Sequence, residues 1–154
     1  MDLSADKEVV LLPIHPEYAN AILLGKKTVE FRKRSFRRDV GFVAIYATVP
    51  ISMVIGLFKV DNIHIGTPQQ IWDCFHSEGC ISHAAYQKYY AGSVGAVAIR
   101  VGDVIPFQRP VHLSSVASVA APPQSFAYLG DQACDKLRCV AQRSNQSTLA
   151  HMSQ

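Results

Sequence analysis

The sequence predicts an α+β fold: a small, bent, mostly antiparallel β-barrel decorated with short helices. Three observations carry this expectation. The predicted elements fall in the order β-α-β-β-β-α-α-β-β, so most strands follow one another across short turns and helices intervene at two places. One long β-prone run, Ser52–Ile65, carries Gly56 in its interior, which reads as the bulge or sharp bend that a barrel requires. Apolar residues make up 49% of the 154-residue chain and charged residues 18%, a composition that supports one buried core.

Each element has its own signal. Residues 1–7 read as a flexible leader. Glu8–Ile14 (EVVLLPI) is a short apolar run, the mark of a buried strand. Pro16 sits at a favourable first helical position, and Tyr18, Ala21, Ile22 and Gly25 follow at helical spacing. A helix over 16–24 is expected, with Gly25 as its C-terminal cap. Thr28–Lys33 then alternates: Val29 and Phe31 point one way, Thr28, Glu30, Arg32 and Arg34 the other. The apolar row belongs in a core, so the polar row must face solvent or a cleft.

Gly41–Val49 reads as a central strand, followed by the long strand Ser52–Ile65. Thr67-Pro68 opens a helix, with the threonine as cap and proline at the first position; Ile71, Trp72 and Phe75 form its apolar face. Ser82 caps a second helix ending near Tyr90. Gly95–Val101 is a further buried strand, and Phe107–Val119 holds one or two more, interrupted by Pro110. The domain therefore spans 8–129. Residues 130–154 read as a polar C-terminal tail, a marginal helix or disordered.

Charge is localised. Between Lys26 and Arg38 there are seven basic residues and one acid, Glu30, whereas the rest of the chain is mildly acidic. Such a segment is either a solvated turn or an electrostatic footprint for an anionic partner. The polar N-terminus does not read as a signal peptide, so none is expected, and no run reaches the roughly 18 apolar residues of a membrane span; a cytoplasmic location is expected. Cys74, Cys80, Cys134 and Cys139 show no CxxC spacing and no zinc pattern, so they are expected as free, buried thiols. The histidines do not converge on a catalytic or metal set, and no cofactor or metal is expected.

The segment LLPIHPEYANAILLGKKTVEFRKR (11–34) resembles the opening of bacterial ASCH domains: a strand, a P-x-Y-A helix, then G-K-K-T-x-E-x-R at the turn into the second strand. GAVAIRV (95–101) and APPQSFAYL (121–129) are similar to later pieces of the same family. The resemblance implies a PUA-like β-barrel with a cleft beside the GKKT turn that holds RNA or a nucleotide-like ligand. It implies a binding domain, in some relatives linked to RNA regulation. The alternative is an enzyme: a ribonuclease, or an amidohydrolase acting on N4-acetylcytidine.

Onto these positions fall the candidate ligand-binding residues Lys26, Lys27, Thr28, Glu30, Arg32, Arg34 and Tyr46. Lys27 is either a desolvated base or a point charge for phosphate. In the amidohydrolase relatives a nucleophilic threonine lies three residues after that lysine. Glu30 stands there instead, which argues against amidohydrolysis. Glu30 is either a general base, a reader of a base edge or an ion-pair partner. If the protein is an enzyme, Lys27 and Glu30 are its acid/base pair. Arg32 and Arg34 suit phosphate or stacking contacts. Tyr46 is either a stacking platform or core. Glu78 is a weaker candidate acid, and Ser82 reads as a helix cap.

Overall fold

A computed structural model describes residues 7–117 and 121–152, with side chains to 145. The expected leader lies outside the described residues apart from Lys7, which is exposed. The strands are β1 (Glu8–Ile14), β2 (Val29–Arg32), β3 (Val40–Ala47), β4 (Met53–Gly66), β5 (Ala96–Val111) and β6 (Ala127–Leu129). The helices are α1 (Pro16–Leu23), α2 (Pro68–Phe75), α3 (His83–Tyr90) and α4 (Asp131–Met152). One six-stranded sheet runs in the order β2-β5-β4-β3-β1-β6. β1 and β3 are parallel, joined through α1 and β2, and every other neighbouring pair is antiparallel.

Period-two alternation sorts side chains to the two faces. Leu11, Ala44, Tyr46 and Leu57 face α4, while Leu12, Ile45, Phe58 and Ile99 face α1. A smaller cluster, built on Val29, Phe31, Phe75 and Tyr86, fills the space between β2, α2 and α3. β3 is buried along its whole length, as a central strand covered on both faces must be.

The barrel expectation requires correction. Among the described residues β2 and β6 each pair on one side only, so hydrogen-bonded strands do not close the sheet. The sheet is nevertheless strongly curled. The Arg32 side chain at the end of β2 donates to the Pro13 carbonyl of β1, four strands along in the pairing order, at 3.1 Å. Gly56 contributes where β4 shifts register, because a Cβ there would lie 2.7 Å from the Ile105 carbonyl oxygen.

Three further expectations change. The two or more strands expected after residue 95 are one strand, β5, which bends through three register shifts against β4 rather than breaking. The remaining part of that run at 118–119 lies outside the described residues. The tail, read as a marginal helix or disordered, is a docked helix, α4: Ala133, Leu137 and Ala141, spaced by four, are buried against the sheet. Ser144 continues that stripe; its hydroxyl accepts from the Gln108 amide at 3.1 Å and donates to the Val140 carbonyl at 3.0 Å. A stripe of small residues around a single leucine gives little hydropathic signal, which is why the segment reads as polar. The cysteines are free as expected but not buried: Cys74, Cys80 and Cys139 are exposed and Cys134 half-buried.

Candidate functional site

The site begins at the exit from α1. Gly25 takes φ +78°, its amide donates to Ile22 O at 3.0 Å, and the Lys26 amide donates to Ala21 O at 2.9 Å. This is a Schellman closure, and it needs a residue without a Cβ penalty at the left-handed position. The turn aims consecutive lysines in opposite directions. Lys26 is exposed, while Lys27 is only 2% exposed.

A loop from the α2–α3 connection holds this turn. The Thr28 amide donates to Glu78 O at 2.9 Å, the Cys80 thiol donates to Lys26 O at 3.1 Å, and Lys27 Nζ donates to Gly79 O. Gly79 is obligatory here, because a Cβ would sit 2.1 Å from Phe31 Cε2. The Lys27 ammonium also lies 5.0 Å from the Tyr18 ring centre and 5.3 Å from that of Phe31, within cation–π range. Burial pushes the Lys27 amine below its ordinary pKa, and the negative charge of Glu30 opposes that shift. The same burial raises the Tyr18 phenol.

Lys27 and Glu30 lie in the wall of a cleft of about 920 Å³, at the upper end of the range for ligand pockets. Glu30 is 5% exposed, and its Oε2 is buried without a hydrogen-bond partner. A buried polar atom without a partner costs about 1–3 kcal/mol. No protein donor offsets that cost at Glu30 Oε2. β1 and its exit supply Pro13, Ile14 and His15; α1 supplies Tyr18. Arg32, Lys33 and Arg34 come from β2 and its exit, Lys88 and Tyr89 from α3. Lys33, Arg34 and Lys88 are exposed, so the cleft has a buried carboxylate in its wall and cations at its mouth. The Lys33 ammonium sits 4.9 Å from the Tyr89 ring centre.

The sequence-predicted residues divide. Lys27, Glu30, Arg32 and Arg34 meet in the cleft; Lys26, Thr28 and Tyr46 do not line it. Lys26 is turned outward by the Schellman closure. Thr28 precedes β2, with its backbone held between Glu78 and Val101, so strand alternation does not put it beside Glu30. Tyr46 belongs to the core on the α4 face, because its parity in β3 is that of Ala44. Arg32 lines the cleft, but its guanidinium is held by carbonyls: Nη1 donates to Pro13 O at 3.1 Å and Nη2 to Ser125 O at 3.0 Å. Those two bonds brace the wall and occupy part of the Arg32 donor set.

Glu78 pairs with Arg100 at 2.9 and 3.3 Å and stays out of the cleft; Ser82 Oγ accepts from the Ala85 amide as a cap. Tyr18, Lys33, Lys88, Tyr89 and Ser125 were missed as site residues. Tyr18 and Tyr89 carry helical spacing that reads as packing. Among the described residues no group of three or more His, Cys, Asp or Glu is placed to hold a metal ion. No described helix is long and apolar enough to cross a membrane.

Comparison with known proteins shows the family. The ASCH domain profile matches residues 12–105, the stretch that builds β1 to β5 and most of the cleft. The chain belongs to the ASCH domain family. An "ASCH domain-containing ribonuclease" from Zymomonas mobilis is 34% identical over 136 residues, covering 86% of this chain and 91% of that protein. The crystal structure of a serine-to-alanine variant of the Zymomonas mobilis ASCH protein superposes with a TM-score of 0.80, at 32% identity over 87% of this chain and 96% of that one. The N-terminal domain of Staphylothermus marinus McrB aligns with a TM-score of 0.56 at 9% identity, over 85% of this chain and 93% of that one, a likeness of fold alone.

Proposed function

We propose that this ASCH domain binds single-stranded RNA through the cleft, seating one nucleotide against Glu30 while neighbouring phosphates meet Lys33, Arg34 and Lys88. The observation that carries this reading is the buried Glu30 Oε2 without a partner. A carboxylate oxygen accepts only from a donor. Base amino and imino groups and the ribose 2′-hydroxyl are such donors, and RNA offers them beside the negative charge that the mouth attracts. Two aromatic side chains in the cleft, Tyr18 and Tyr89, suit base contact. A thermal-shift screen of nucleoside monophosphates and short RNAs tests this. A ligand at a hundred times its dissociation constant stabilises the fold by about 2.7 kcal/mol. No shift with any RNA would overturn the reading.

A second reading is RNA cleavage in the same cleft. Two things favour it: the desolvated amine of Lys27 beside a carboxylate, and the ribonuclease name of the Zymomonas mobilis relative. In that reaction Glu30 takes the 2′-hydroxyl proton and the 2′-oxygen attacks the adjacent phosphorus. The bond to the 5′-oxygen breaks, and Lys27 protonates the leaving oxygen. The products are a 2′,3′-cyclic phosphate and a 5′-hydroxyl, and water returns the proton from Glu30 to Lys27. A depressed pKa makes Lys27 a better acid for this step. An RNA with one 2′-deoxy residue should bind but resist cleavage at that position. Cleavage there at the normal rate would exclude this chemistry.

A further inference from the structure

The chain from Arg32 to Arg38 leaves the cleft along a second segment, residues 124–128. The two are tied at three successive levels. Arg32 Nη2 donates to Ser125 O at 3.0 Å. Phe36 packs edge-on against Phe126 with ring centres 4.9 Å apart. The Tyr128 hydroxyl accepts from the Arg37 and Arg38 amides at 3.0 and 3.3 Å, and the Arg38 guanidinium lies 4.4 Å from the Tyr128 ring centre. The first tie is at the cleft wall, since Arg32 and Ser125 both line it. The last is at the far edge of the sheet, on β6.

This seam ties the 32–38 segment to residues 125–128, and exposed cations remain along it. Lys33, Arg34, Arg37 and Arg38 are all exposed. Among the described residues only Arg38 of the four forms a salt bridge, to Glu8 at 3.5 Å. Lys33 and Arg34 also stand at the cleft mouth. The Tyr128 hydroxyl fixes the backbone of two of these four cations, Arg37 and Arg38.

We propose that this ridge is a path for the sugar–phosphate backbone of single-stranded RNA, so that the preferred ligand is an oligonucleotide and not a free nucleoside or mononucleotide. One nucleotide occupies the cleft and the strand continues over Arg34 to Arg37 and Arg38. The ridge reads charge and the cleft reads the nucleotide. This rests on the proposed RNA-binding role of the cleft. Preordering by Tyr128 reduces the side-chain and loop entropy lost on binding.

The test compares two ligands, a mononucleotide and a single-stranded RNA of about eight nucleotides, within the usual span of single-strand sites. In the Arg37→Ala/Arg38→Ala variant, oligonucleotide affinity should fall and its log–log salt slope should flatten by about 1.4, the value for two lost single-strand phosphate contacts. Mononucleotide affinity should not change. Arg37→Lys/Arg38→Lys should recover most of the oligonucleotide affinity, and Tyr128→Phe, which removes the hydroxyl acceptor and keeps the ring, should weaken the oligonucleotide alone. Glu30→Ala, by contrast, should weaken both ligands. Unchanged oligonucleotide affinity in the double alanine variant would overturn the ridge while leaving the cleft reading intact. Equal loss for both ligands would also overturn it. If neither ligand binds the wild-type protein, the cleft reading and the ridge fall together.

Discussion

Residues 26–34 and α4 are both polar in composition, yet they bury side chains for opposite reasons. α4 buries Ala133, Leu137 and Ala141 and leaves its charges outside. That burial removes apolar surface from water and stabilises the fold. The 26–34 segment buries Lys27 and Glu30, including a carboxylate oxygen without a partner. That burial costs free energy. The difference separates a segment kept for stability from one kept for its site.

The largest expected effect is on the α4 side. Leu137 is fully buried, so Leu137→Ala should destabilise the fold by about 2–5 kcal/mol, read from urea unfolding. Ligand affinity of the folded protein should not change. A loss under about 1 kcal/mol would mean that α4 is dispensable and the contrast is false.

Gly79→Ala acts on the loop that holds Lys27. Its Cβ meets a buried ring, so the expected cost is about 1–3 kcal/mol. Unlike Leu137→Ala, it should also weaken ligand binding, because the loop carries the Lys27 acceptor. Destabilisation with full binding would show that the loop supports only the core.

The buried charges themselves should show no loss of stability when replaced. Lys27→Met with Glu30→Leu should leave stability unchanged or raise it by up to about 4 kcal/mol, while abolishing binding. The pH dependence should change with it. Below the lowered pKa of Lys27 the ammonium is charged in folded and unfolded chains alike, and its full desolvation cost is present. Between that pKa and the ordinary 10.5, the unfolded chain keeps a proton that the folded chain has released. Wild-type stability therefore gains a rising contribution with pH across that window, and the double variant should lack it. Parallel pH curves would mean that Lys27 is not desolvated.

The legible parts of this chain were those set by near neighbours. The α1 exit at Gly25, the Thr67 capping box and the Ser82 cap all follow from residues within a few positions. Lys27 and Glu30 were legible because a glycine-led turn and strand alternation fix where they start. Their depth was not, since it depends on a loop about fifty residues later, through the bond of Lys27 to Gly79. Arg32 looked like a phosphate ligand because its two carbonyl partners lie 19 and 93 residues away. Alternation placed Tyr46 on one face of a strand but could not say which face holds the cleft. The parallel pairing of β1 with β3 and the continuity of β5 are likewise set by the whole sheet.

The most direct test is Glu30→Ala, with RNA affinity measured across a salt series. If Glu30 is the ligand's acceptor in a basic-mouthed cleft, its loss should give weaker binding, reduced discrimination among RNAs and a nearly unchanged salt slope, because the phosphate contacts lie elsewhere. Equal tightening toward every RNA would show that Glu30 acts only as a repelling charge, and would contradict its role as the ligand's acceptor.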